Sequence, residues 1–541
     1  MVTGLALVIR LLQIDRPPQF DELYHILAAR SWAHDGTLAL GGGAYTRAAA
    51  FTALIGVFFK VLGDGLAVAR LPSILAGTLW VGAIHRGTGV RAGRLAGGLA
   101  GLFAALDPGA IYISGFARFY AIQGLLVWVG AMSLYDLIDQ EPSGWRAVRS
   151  SLVIAVTWLT AVYLQITTLI ALVGAGGWAA WHLLARLRRA AGRSPAGRAT
   201  LVAVIVLALL GAALAVRAGI VGRLYFQYRD TPIWGEPTMN DWHYYERWFL
   251  GRYPALWLLF PLAAVTALMV PGRLAGFALA VFGAAFVLFS GGALKTERYL
   301  AFSLPFFFVV WGIALADWAP RIQGWATRIA GRLAGARTSL RARRFGSWGV
   351  VGLLAGWFVI YDPAFAMTRR MIVRDWETEA YQESDWAAAA PALRHLVDLA
   401  DVVISTALPK TLYYVGRADV TLSLTELGEL GRRNGKPIEF SLDPRTGRPA
   451  ISSPESLERI MACYGRGLLL IEDVHWHNLV VIPASTRAFL ASHTEEVPLP
   501  SAWLLHARRW TTAQPTSGPG CPPWRVARSA APDSRNPREL E

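Results

Sequence analysis

The chain is poor in charge, in acid and in cysteine. Charged residues make up 16% of its 541 residues, Asp and Glu number 37 against 52 Lys and Arg, and there are 2 Cys. No Cys or His set has zinc-ligand spacing, and no glycine run has the form of a P-loop or a dinucleotide-binding turn. What is abundant is apolar. The chain is 54% hydrophobic with 22 Trp, the composition of an integral membrane protein rather than a soluble one. In a soluble chain the net charge of +15 would point to nucleic acid. Here the base is nearly all Arg, in short loops between apolar runs, which is the pattern of cytoplasmic loops. The expected partner is the lipid bilayer, and nucleic acid is not. Most glycines lie inside apolar segments, where small residues let helices approach.

The apolar runs predict spans at roughly 1–14, 66–85, 94–113, 118–138, 151–165, 167–185, 200–217, 254–270, 274–291, 299–317 and 347–361, about 11 transmembrane helices. The first, Val2 to Ile14, is shorter than the roughly 20 residues a span needs, so the given start, Met1, is expected to fall inside a longer first helix. The run 46–62 carries Arg47 and Lys60, while Phe51, Leu54, Ile55, Phe58 and Leu62 form one helical stripe. That pattern suits a helix lying in the interface. Three basic loops, Arg86 to Arg94, Arg186 to Arg198 and Arg321 to Arg344, are each separated by an even number of spans, so they share the cytoplasmic side. With 46–62 in the interface, Asp21-Glu22 faces outside; if 46–62 spans, the assignment flips. The interfacial reading is preferred because it puts the acids beside the outer polar segments Ser114 to Arg118, 218–253 and Gly291 to Arg298.

Beyond Tyr361 the pattern changes to short β-type runs, Val402 to Ser405 and Leu468 to Ile471, with a helical stretch at Trp386 to Leu399. The expected fold is mainly α. A polytopic module covers 1–361 with its first outer loop at 15–65, an extracytoplasmic soluble α/β domain covers 362–510, and a Pro-, Ser- and Arg-rich disordered tail covers 511–541. The expected location is a bacterial-type inner membrane, with multiple passes and the C-terminal domain outside.

Within this frame the most informative stretch is Gln19-Phe20-Asp21-Glu22-Leu23-Tyr24. Pro17 and Pro18 stop an arriving helix, and a new helix is expected at Phe20 or Asp21 with acids in its first turn. Adjacent carboxylates at the end of a span point to a wet interfacial site, because ionised acids are costly in hydrocarbon. Helix capping explains the same pair. As sequence neighbours the two acids cannot share a helix face, so separate roles are expected. Asp21 could take a proton, while Glu22 binds a backbone amide, a base or a metal. His25 shares a face with Asp21 and reads as a polar-face residue or a ligand. Arg118 stands at the mouth of an apolar span, where it either snorkels or grips an anion. Lys295, Arg298 and Tyr299 precede another span and suit an anionic headgroup or an interfacial anchor. Loop 218–253 combines Tyr225, Tyr228, Trp234, Trp242, Tyr244, Tyr245 and Trp248 with acids, which suits a sugar or an aromatic belt. His475 and His477 flank Trp476 near an expected strand end and would share one face there, as a metal pair or as solvent-facing groups. A disulfide between Cys463 and Cys521 is open.

Taken in order, these pieces resemble the GT-C superfamily of polytopic glycosyltransferases, in the branch with protein O-mannosyltransferases and lipid A aminoarabinose transferases. The resemblance rests on Asp21-Glu22 at the start of an outer loop, Tyr24 in the helix that follows, Ala69-Arg70-Leu71-Pro72-Ser73, then Pro108, Ser114, Ala117-Arg118 and Tyr120, and finally Arg298-Tyr299 and Pro305. It covers roughly residues 1–310. It implies a polyprenyl-phosphate sugar donor and an acceptor outside the membrane, whether protein, lipid or glycan. Asp21 and Glu22 would be catalytic, and Arg298, Lys295 and Arg118 would bind the donor phosphate. Tyr24, Tyr120, Tyr299, Trp242 and Tyr245 would bind substrate. Relatives carry a second acid after the Arg where this chain has Gln123, so a divalent metal is left open, as is a second acid from Glu236, Asp241 or Glu246. The outer domain is expected to select the acceptor rather than perform chemistry. A transporter or flippase of lipid-linked intermediates is the rival reading.

Overall fold

A computed structural model describes residues 1–191, 240–293, 295–334, 361–374, 384–434 and 438–512, with isolated positions between 213 and 222 and between 352 and 357. Contacts divide the chain into two compact units. The first is Met1–Pro17, Gly63–Thr231 and Gly235–Trp376; the second is Pro18–Leu62, Pro232–Trp234 and Glu377–Glu541.

The first unit is helical because its sequence is a series of apolar runs. Six helices among the described residues are long and apolar enough to cross a membrane: Leu66–Ala92, Tyr120–Asp139, Trp145–Leu164, Thr168–Ala190, Leu274–Gly291 and Glu297–Trp325. The expected runs at 200–217 and 347–361 fall outside the described residues. The expected span at 94–113 is two helices, Arg94–Leu106 and Pro108–Ser114, bent by 61°. Asp107-Pro108-Gly109 makes the break: Pro108 has no N–H to continue the helix, and the Asp107 carboxylate accepts from the Ala110 amide at 2.6 Å to start a new one. The run at 254–270 likewise splits into Pro254–Leu258 and Phe260–Met269, each with a proline in its first turn.

Burial separates the helices by role. The Glu297–Trp325 window is 89% buried and forms the centre of this unit, whereas that of Trp145–Leu164 is 17% buried. On the latter, Leu152, Val156, Leu159 and Tyr163 are exposed along one helical stripe, an apolar face suited to lipid.

The second unit is built on a seven-stranded sheet in the order β5-β6-β4-β3-β7-β9-β8. The strands are β3 (Val402–Ser405), β4 (Val420–Leu422), β5 (Ser441–Leu442), β6 (Pro449–Ile451), β7 (Arg466–Glu472), β8 (Glu495–Val497) and β9 (Leu505–Thr511). β6, β4, β3 and β7 run parallel, and the outer strands are antiparallel. Side-chain alternation fills both faces. Val402, Ile404, Leu469 and Ile471 enter one core, and Val403, Leu468 and Leu470 enter the other with Trp386 and Leu393. Gly467 is required where it stands: a Cβ there would lie 1.9 Å from the ring of Trp510, its cross-strand partner.

The remainder of this unit comes from early in the chain: the helix Phe20–Asp35, a hairpin of β1 (Ala39–Leu40) and β2 (Gly43–Ala44), and the apolar helix Ala49–Leu62. Residues 18–62 thus group with the C-terminal residues rather than with the membrane helices. Among the contacts that hold them, two are specific to the early hairpin and to Tyr24. Gly41-Gly42-Gly43 nests against the turn 444–447, where the Gly42 amide donates to the Thr446 carbonyl at 2.8 Å and the Ala44 amide to that of Pro444 at 3.1 Å. A Cβ on Gly447 would stand 2.2 Å from the backbone of Gly42. In the second contact, Arg445 reaches Glu426 at 2.5 Å and Asp443 at 2.9 Å with its guanidinium 5.0 Å from the ring centre of Tyr24. Removing one partner of a half-buried ion pair leaves the other charge unpaired. Arg445→Ala is therefore expected to cost about 3 kcal/mol and lower the unfolding temperature of this unit by about 6–12 °C. Scanning calorimetry of the purified protein checks this. Arg445→Met combined with Glu426→Gln should lose less than Arg445→Met alone.

Candidate active site

The acid stretch begins a helix as expected. Gln19 is extended, Phe20–Asp35 is helical, and Glu22 closes a capping box in which its carboxylate accepts from the Gln19 amide at 2.8 Å. Glu22 is fully buried and Asp21 only partly so. The two carboxylates therefore differ: Glu22 holds the helix start, and Asp21 projects from its first turn with some access to solvent. His25 is also buried. Its Nδ1 meets the Thr52 hydroxyl at 2.8 Å, and its ring stands edge-on to Tyr45 and Phe51, so it ties this helix to Ala49–Leu62. Tyr24 is 4% exposed, stacked on Tyr45 with centroids 5.1 Å apart and beside Phe20 and Arg445. Burial, with Glu426 adding to it, pushes its hydroxyl well above the usual tyrosine range. The structure packs Tyr24 between the helix Phe20–Asp35 and the C-terminal residues.

The cationic residues lie in the first unit, and the fold brings two of them to one ring. The guanidinium carbons of Arg118 and Arg298 stand 5.5 Å and 5.9 Å from the centre of Tyr120, within the range of a cation–π contact. Arg118 and Tyr120 are both buried. Lys295 is 5% exposed and donates to the Gly292 carbonyl at 2.5 Å. Burial pulls its ammonium below the usual lysine range, against the opposing pull of Asp241. Tyr245, fully buried, clasps the same loop: its hydroxyl donates to the Thr296 carbonyl at 2.9 Å and accepts from the Thr296 amide at 3.1 Å. Burial raises its pKa, so it is a neutral anchor. Tyr299 stacks on Phe289, while Trp242 is exposed. Tyr225, Tyr228, Trp234 and Glu236 lie outside the described residues. Asp241 bonds Arg247, and Glu246 bonds His243 at 2.6 Å.

Sequence reasoning names Arg70, Ser73 and Ser114 only as motif positions and misses the contacts by which they hold this region. Arg70 donates to the carbonyls of Ile14, Arg16 and Pro17 at 2.9, 2.5 and 3.3 Å, fixing the backbone just ahead of the acid helix. The Ser73 hydroxyl donates to the Arg118 carbonyl at 2.8 Å, so Ala69-Arg70-Leu71-Pro72-Ser73 is a clamp. Asp107, besides capping its helix, accepts a hydrogen bond from the Tyr253 hydroxyl, while neighbouring Arg252 pairs with Glu297 at 2.5 Å. A buried acid inside an apolar run, followed by Pro-Gly, was the available signal. Ser114 accepts from Arg10 at 3.2 Å. Gln123 spends its amide on the Thr168 hydroxyl at 2.8 Å and supplies no metal-binding carboxylate there.

In the second unit the two histidines are not on a strand. β7 ends at Glu472, and Asp473–Trp476 is a helical turn, so the expected common face of His475 and His477 is lost. His475 meets the Thr406 hydroxyl at 3.1 Å beside Glu472, and burial lowers its pKa against the pull of that carboxylate. Glu472 itself pairs with buried Lys410 at 2.9 Å. Cys463 is disulfide-bonded; Cys521 and the tail lie outside the described residues.

No family model matches the chain, and no curated protein matches it by sequence. Solved structures do. ArnT from Cupriavidus metallidurans bound to undecaprenyl phosphate is similar over 96% of this chain and 98% of its own, with TM-score 0.60 and 14% identity. The oligosaccharyltransferase of Archaeoglobus fulgidus tethered to an acceptor peptide is similar over 88% of this chain and 69% of its own, with TM-score 0.51 and 11% identity. The same organism's AglB in complex with an inhibitory peptide and a dolichol-phosphate is similar over 73% and 57%, with TM-score 0.50 and 12% identity. The chain has the fold of these structures.

Proposed function

We propose that this protein is a membrane glycosyltransferase that moves a sugar from a polyprenyl-phosphate donor to an acceptor outside the membrane. The observation that carries the reading is the pair of guanidiniums, Arg118 and Arg298, gathered on Tyr120 in a helical unit of GT-C fold. Support comes from the undecaprenyl phosphate bound to ArnT and the dolichol-phosphate bound to AglB, both similar in fold. Arginine presents a planar fork of donors that matches phosphate oxygens. The apolar helices offer the surroundings a polyprenyl tail needs.

In this reading the acceptor hydroxyl attacks the anomeric carbon as the bond from that carbon to the phosphate oxygen breaks. The proton passes to the Asp21 carboxylate, which has the access that Glu22 lacks. The departing polyprenyl phosphate keeps the electron pair, and Arg298, with Arg118 and Lys295, neutralises the charge. Glu22 positions the helix through its capping box. Attack opposite the phosphate inverts the anomeric centre, and NMR of the product tests it: an α-linked donor should give a β-linked product, and a retained anomer would rule out this geometry. A transporter would leave the sugar–phosphate bond intact.

A further inference from the structure

A second cluster of chemistry-bearing side chains lies among the C-terminal residues of the second unit. Asp473 opens the helical turn after β7, His477 follows one turn later, and His506 comes from β9, where it pairs with Ile471. His506 Nε2 is 2.9 Å and His477 Nε2 is 3.5 Å from Asp473 Oδ1. One ligand atom from each residue lies within 4.8 Å of the other two.

We propose that Asp473, His477 and His506 form a binding site for one transition-metal ion, with Zn2+ the best match. Two imidazole nitrogens and one carboxylate oxygen are a borderline-soft donor set that suits Zn2+ and disfavours Mg2+ or Ca2+, which take all-oxygen shells. Donors around tetrahedral zinc stand about 3.4 Å apart. Reaching that takes a small widening of the 2.9 Å Asp473–His506 pair and a swing of His477, whose side chain is 67% exposed. The support behind the donors has the form metal sites use. His506 directs its other nitrogen, Nδ1, at Glu496 Oε1, 3.5 Å away; a carboxylate there fixes the tautomer that leaves Nε2 for the metal. Trp476 lies against the His506 ring at 5.7 Å and limits its rotation. The Asp473 amide donates to the Leu504 carbonyl at 3.0 Å, fixing the turn against the start of β9. Three protein ligands leave a fourth position open to water or to an anionic group. His475 is not a member, since it faces Thr406.

The test is titration of the full-length purified protein, stripped with chelator, with Zn2+ and separately with Co2+. One equivalent of Zn2+ should bind, and Co2+ should give the visible absorption of a tetrahedral site. His477→Ala, at an exposed position that the fold does not need, should weaken Zn2+ binding at least tenfold. Glu496→Gln should weaken it by about 10–100-fold, and His493→Ala should leave it unchanged. Absence of a stoichiometric ion in the wild-type protein would overturn the proposal, as would His477→Ala binding Zn2+ as tightly as wild type.

Discussion

Asp21→Asn is expected to reduce sugar transfer by about 10²–10⁴-fold while donor binding stays close to wild type. Loss of a base acts on the transition state and leaves the ground state nearly untouched. The amide keeps the size of the carboxylate and can still sit in the first helical turn. The capping box depends on Glu22 and Gln19, so the fold should not change. The measurement is kcat and donor affinity on the same preparation. More than about half of the wild-type rate would remove Asp21 from the role of base. Glu22→Gln gives the internal comparison. A Gln can accept from the Gln19 amide as Glu does, so its effect on rate should be much smaller than that of Asp21→Asn.

Arg298→Ala is expected to weaken use of the donor by about 10–100-fold, the worth of a charge-assisted hydrogen bond to phosphate at a partly buried position. The effect should fall on the donor and spare the acceptor. Arg298→Lys should recover part of the loss, because a point charge replaces a planar fork. Arg118 remains beside Tyr120 in either variant, which keeps the defect partial. The check is a pair of saturation curves, one for each substrate. Equal losses toward donor and acceptor would mean that Arg298 supports the fold instead.

The sequence was legible where periodicity or a local motif carried the information. Leu274–Gly291, Trp386–Leu399 and Val402–Ser405 form where the apolar patterns predict them, because amphipathic and fully apolar runs have few ways to bury themselves. The start at Phe20 was visible in Pro17-Pro18 and the acid pair. What a single sequence hid was long-range. Nothing local joins Tyr24 to Arg445, or Gly41-Gly42-Gly43 to Gly447, although both contacts bind residues 18–62 to the C-terminal residues. In consequence the unit expected only to select the acceptor also carries Asp21. Cutting the chain after Tyr361 would remove Arg445 and Gly447, the partners of Tyr24 and Gly42. Asp107-Pro108-Gly109 breaks the apolar run 94–113, and the length of that run hides the break. His475 and His477 do not share a face because a helical turn replaces the strand after Glu472.

The most direct test of sugar transfer from a polyprenyl phosphate uses the purified protein in detergent micelles with a donor radiolabelled in its sugar. A micelle has no second compartment, so transport leaves no trace there, while bond cleavage does. Wild-type protein is expected to release the label from the lipid and leave free polyprenyl phosphate, and Asp21→Asn is expected not to. Label that stays on the lipid with folded wild-type protein, in the presence of membrane extract as a source of acceptor, would contradict the account.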